Sequence, residues 1–181
     1  PPQLNHLPYP NASSYSASPT DLDAKGHVIS RFTGRINKLT PPGSTCGFVG
    51  GFFVAGDMFP PTDQGGGPNS FCQQSNQAEI FYLLSPDPSG KFGNIRTTSS
   101  VRQGTRGTIS HEFQHMINGG NRHKNQAWSN LESTGLDEGL AHVADDALER
   151  VKRGCRGLPT STVASITPCH EQGPQTTVYH A

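Results

Sequence analysis

Ile109-Ser110-His111-Glu112-Phe113-Gln114-His115-Met116-Ile117-Asn118 is the stretch from which the rest of the chain is read. His111 and His115 are four residues apart, so on a helix they share one face and their imidazoles can converge on a metal ion. Glu112 follows the first of them and from there can reach a water on that metal and act as its general base. Ile109, Phe113, Met116 and Ile117 fall on a neighbouring face and would bury the helix against a sheet. Two imidazoles leave a catalytic zinc one protein ligand short, so the third must come from further along the chain.

Two routes to that ligand are known in kind. In the pattern HExxHxxGxxH a third histidine completes the set. Here Asn118 stands at the glycine position and Asn121 at the histidine position, His123 falls two residues late, and neither Met58 nor Met116 follows the motif far enough to form a Met-turn. That route is excluded. The other is a glutamate on a second helix. Leu136-Asp137-Glu138-Gly139-Leu140-Ala141 opens such a helix, and a carboxylate at Glu138 can point back to a metal held by an antiparallel neighbour. Gly139 would leave room for close approach. Glu132, which precedes the helix, is the spare candidate.

The flanking pattern gives the elements. The motif helix begins near Ser99 or Ser100, either of which can cap it, and Gly119-Gly120 should end it. The second helix starts near Thr134, where Thr134-x-x-Asp137 resembles a capping box; Leu136, Leu140, Val143, Ala147 and Val151 would form its apolar face, and Gly154 its end. Upstream, Glu79 to Leu84 reads as a strand, either an interior one or an edge that binds extended peptide. Gly47 to Phe59 reads as a buried strand whose glycines permit close packing. His27 to Leu39 reads as two short strands or one bent one. The expected fold is therefore α+β and zincin-like, a small mixed sheet packed on the motif helix, with a second helix carrying the third ligand. An extended arm (1–26), rich in Pro, Ser and Asn, would precede a catalytic domain (27–154), and a loop-rich segment (155–181) would follow it.

Composition narrows the function classes. Formal net charge is zero and no basic run appears, so neither nucleic acid nor an anionic membrane is expected as a partner. Leu, Ile, Val and Phe make up about a fifth of the chain, near the lower edge for globular domains, while Gly (21) and Pro (15) are abundant. A thin core calls for staples. Cys46, Cys72, Cys155 and Cys169 form no CxxC pair, which argues against a cysteine zinc site. The local disulfides Cys46–Cys72 and Cys155–Cys169 are expected instead, and with them an oxidising, extracellular compartment. No membrane-spanning stretch or signal peptide is visible, and a monomer is expected.

Further residues are candidates for support. His142, His170, Tyr179 and His180 lie downstream of Glu138 and could stabilise an oxyanion or assist from behind the ligands. Asp145 and Asp146 could orient a ligand imidazole. Asp57, Asp63 and Asp87 are loop acids that would suit calcium, although they lack the spacing of a calcium loop.

The chain also resembles a known family. The segments GGFF…GD, AEIFYLLSPDP, ISHEFQHMIN and ESTGLDEGLAHVADD, between roughly Gly50 and Asp146, are similar to the hyicolysin family of secreted bacterial zinc metallopeptidases, of gluzincin type. The resemblance implies His111, His115 and Glu138 as zinc ligands, Glu112 as catalytic base and a polypeptide substrate. Gly135 stands where the family tends to have Trp, and Asp137 where it tends to have Asn. The expected activity is that of a secreted endopeptidase. The alternatives are an aminopeptidase, or a zinc-stabilised binding or structural module of the same fold.

Overall fold

The computed structural model describes residues 19–21, 24–44, 48–58, 75–124 and 133–152. Strand β1 (Ile29–Thr33) leads into a single helical turn, α1 (Gly34–Asn37). Strand β2 (Gly51–Phe53) is followed by a 3₁₀ turn at Ala55–Met58, and then come strand β3 (Ile80–Leu84), helix α2 (Thr98–Lys124) and helix α3 (Thr134–Lys152). The strands form one sheet in the order β1-β3-β2. β1 runs parallel to β3, with Ile29 opposite Ile80, and β2 runs antiparallel to it, with Gly51 opposite Leu83. The fold is α+β with a small mixed sheet. No helix among the described residues is long and apolar enough to cross a membrane.

β3 is the central strand, not the peptide-binding edge that the sequence left open. Its composition explains this. Ile80, Phe81, Leu83 and Leu84 are all buried, as befits a strand covered on both faces. Phe81 and Leu83 pack with Phe113, Met116 and Ile117 of α2 and with Met58. Phe81 stands edge-on to both Phe53 and Phe113, with centroids 6.3 Å apart in each pair. This packing fixes the motif helix under the sheet.

The region from His27 to Leu39 is one strand and a helical turn, where two strands or a bent one were expected. The Thr33 hydroxyl accepts from Arg35 N and caps the turn. Asn37 then donates its side-chain amide to Ser85 O at 2.9 Å and accepts from Ser85 N at 3.0 Å. These bonds reach across 48 residues, so local pattern could not reveal them. The expectation for β2 holds in kind over a shorter span. A Cβ on Gly51 would lie 2.6 Å from Tyr82 O and 3.0 Å from Thr108 Cγ2, so only glycine lets β2 sit between β3 and α2.

The helices differ from expectation in several respects. Neither Ser99 nor Ser100 caps α2; both lie inside it, and the Thr97 hydroxyl accepts from Ser100 N at 3.1 Å. Gly119 and Gly120 do not end α2, which continues to Lys124. They serve packing instead: a Cβ on Gly119 would touch Met58 Cε at 3.5 Å, and one on Gly120 would overlap the side chain of buried Thr20. On α3 the apolar series Leu136, Leu140 and Val143 is exposed, and the buried residues are Ala141, Ala144, Ala147 and Leu148. Nor does Gly139 make the close approach, since a Cβ there would meet nothing within 4 Å. Small alanines at the crossing let α3 lie near α2, and the Ser110 hydroxyl donates to Ala144 O at 3.1 Å to join the two backbones. The four cysteines, Glu132, Gly154 and the segment 155–181 lie outside the described residues.

Candidate metal centre

α2 presents His111 and His115 to α3 and turns Glu112 towards β2. The helix is cut into the fold so deeply that His111 is 0 % and Glu112 1 % exposed. From α3, Glu138 meets both imidazoles. Its Oε2 lies 3.3 Å from His111 Nε2, and its Oε1 3.7 Å from His115 Nε2. Ligand atoms of these three residues all lie within 4.8 Å of one another. Donors around 2.0–2.1 Å from one tetrahedral metal are roughly 3.4 Å apart, so the group could hold a metal ion. Structure and sequence bring together the same three side chains.

The opposite nitrogens of the imidazoles are held by acids. His115 Nδ1 lies 2.8 Å from Asp137 Oδ2, and His111 Nδ1 3.2 Å from Asp145 Oδ2. With carboxylates accepting at Nδ1, each Nε2 is left without its proton and aimed at Glu138, the arrangement that ligating histidines require. Asp137 also accepts from the Asn118 amide. Burial alone would raise the Asp137 pKa, but these two bonds outweigh it and hold the carboxyl below its ordinary value. For His111, burial favours the neutral ring, yet Asp145 and the charges of Glu112 and Glu138 prevail and raise its pKa.

The role of Asp137 was missed in the sequence. An acid three residues into a helix reads as a cap, whereas this one reaches across to α2. Its place immediately before Glu138 was the available signal. Asp145 was a candidate and does meet His111, while Asp146 points to solvent as an exposed residue.

Glu112 is held differently from the three candidate ligands. Its Oε2 accepts from Phe53 N on β2 at 2.9 Å. Its Oε1 is buried with no hydrogen-bond partner among the described residues. Burial pushes its pKa up to about 7, against the pull of His111, His115 and the Phe53 amide. A buried carboxylate oxygen with no donor is costly unless a ligand, water or ion completes it. One oxygen fixed by backbone and the other left open is a suitable arrangement for taking a proton at a chosen point.

The remaining candidates separate cleanly. His142 lies beside the group, half-exposed, with its ring centroid 5.0 Å from that of His111. His170, Tyr179 and His180 lie outside the described residues. Asp57 accepts from Tyr82 Oη at 2.6 Å and from Asn76 N at 3.0 Å. Burial and that bond to Asp57 push the Tyr82 pKa up to about 12. Asp87 closes a tight turn, accepting from Lys91 N and Phe92 N, and Asp63 lies outside the described residues. No protein-family model matches the chain, and no curated protein matches it either, so the chemistry is read from the side chains themselves.

Proposed function

We propose that the protein is a secreted zinc-dependent endopeptidase of zincin fold, related to the hyicolysin family of gluzincins that its motif segments resemble. The observation that carries this reading is the convergence of His111, His115 and Glu138 beside Glu112, whose Oε1 is buried and without a donor. The donor set of two imidazoles and one carboxylate suits zinc, and it leaves a coordination position open. Zinc held there would polarise a scissile carbonyl and make a neighbouring water acidic.

The chain's own residues do the rest. Asp137 and Asp145 keep each imidazole in the tautomer that presents Nε2. The Phe53 amide fixes one oxygen of Glu112, so the other accepts the proton from water and later delivers it to the leaving amine. In the metal-free protein burial raises the Glu112 pKa to about 7; zinc beside it would favour the carboxylate, the form that accepts the proton.

The test is metal analysis combined with casein hydrolysis, with and without a chelator. One tightly held zinc per chain, and hydrolysis that chelation abolishes and zinc restores, are expected. Zinc uptake without hydrolysis would favour a zinc-stabilised binding module instead. Release of single amino-terminal residues without internal cleavage would indicate an aminopeptidase.

A further inference from the structure

We propose that His142 and Asp145 form a second, weaker position for a divalent cation, next to the group built on Glu138. The two residues are three apart on α3 and so share its face. His142 Nδ1 lies 3.7 Å from Asp145 Oδ2. That is too long for a hydrogen bond and matches the 3.7 Å that separates His115 Nε2 from Glu138 Oε1 in the first group. Side-chain atoms of His111, His142 and Asp145 all lie within 4.8 Å of one another.

A second observation points the same way. Asp145 Oδ1 is buried and has no hydrogen-bond partner among the described residues. The His111 contact uses Oδ2, so nothing among the described residues satisfies the other oxygen. A cation beside the carboxylate would do so. His142 is 49 % exposed, which gives an ion entry from solvent and leaves room for water ligands.

The two positions cannot be equal. His111 turns Nε2 to the first group and Nδ1 to Asp145, so the second ion is assigned to His142 and Asp145 alone. That ion has two protein donors where the first has three, and it sits near another dication. It therefore binds second and more weakly.

The assignment rests on the first group being a metal site, and one experiment separates the two. Zinc chloride alone is titrated into the metal-free full chain by calorimetry, for the wild type, His142→Ala, His142→Gln and Glu138→Gln. Circular dichroism confirms that each variant is folded; His142 is half-exposed, and Gln keeps a helix-compatible side chain. The wild type should show a tight event and a weak one. Both His142 variants should lose one equivalent from the weak event and keep the tight one, and Glu138→Gln should lose the tight event. A single event in the wild type, or a weak event undiminished in both His142 variants, would overturn the second position. Retention of the tight event in Glu138→Gln would instead contradict the first site, whatever the His142 variants do.

Discussion

At Glu112 the two carboxylate oxygens live in different surroundings, one on a backbone amide and one facing no donor, and this difference has a cost in the metal-free protein. The folded chain holds the Glu112 proton up to about pH 7, whereas the unfolded chain releases it near the ordinary 4.5. The folded state binds more protons between these values, so stability falls as pH rises through them and stays lower above. Glu112→Gln cannot ionise. Free of metal, this variant should be more stable than the wild type at pH 8 by about 1–3 kcal/mol and lose that advantage below pH 4.5; urea unfolding at both values measures it. Asp137 gives a second prediction. Asp137→Ala removes the acceptor from His115 Nδ1 and should weaken metal affinity by roughly 10–100-fold, read by competition with a chromophoric chelator; unchanged affinity would mean that the contact does not orient the ligand. At this scale the sequence showed the candidate ligands and not the acids that hold them. His111 and His115 sit on one helix, so spacing alone places them. Asp137 and Asp145 act on the other helix, and which of the adjacent acids Asp145 and Asp146 faces inward depends on how α3 is rotated against α2.

The same dependence governs the elements. α2 was legible because its motif and apolar face share one period, and β3 because an unbroken apolar run suits a strand covered on both sides. The face of α3 was misread. Leu136, Leu140 and Val143 have helical spacing and larger apolar side chains than the alanines, yet the face that must carry Glu138 to His111 is the one with Ala141 and Ala144. A helix pair that shares a ligand set needs backbones close together, and small residues at the crossing allow this. Ala144→Leu should therefore destabilise the protein by about 1–3 kcal/mol through overpacking and weaken metal binding with it. Leu140→Ser, on the exposed series, should change stability by no more than about 0.5 kcal/mol. Thermal unfolding with a parallel zinc titration checks both, and equal effects of the two substitutions would contradict the packing described. The turn α1 was hidden for a similar reason, because its anchor is the bond pair between Asn37 and Ser85.

For the whole molecule, a metal at the candidate site and the fold would support one another. The sheet buries α2, α2 and α3 meet through alanines, the Ser110 hydroxyl bond and the bonds of Asp137 and Asp145, and the three candidate ligands span that same contact. A metal there would clip together two helices with a thin apolar contact and close the connection between them. Chelation should lower the melting temperature by several degrees at neutral pH, since about 1 kcal/mol is worth roughly 2–4 °C at this size. The effect should shrink as pH falls, because protons compete for the imidazoles; the raised pKa of His111 makes that competition begin at a higher pH than for an ordinary histidine. Identical melting curves with and without metal would leave the fold to its core alone. The central claim is that Glu112 performs chemistry at a zinc held by His111, His115 and Glu138. Its most direct test measures zinc content and casein turnover on the same samples of wild type and Glu112→Gln after dialysis against metal-free buffer. The account predicts one zinc per chain in both proteins, with hydrolysis in the wild type and a loss of at least about 100-fold in the variant. Wild-type turnover by the zinc-loaded variant would contradict it.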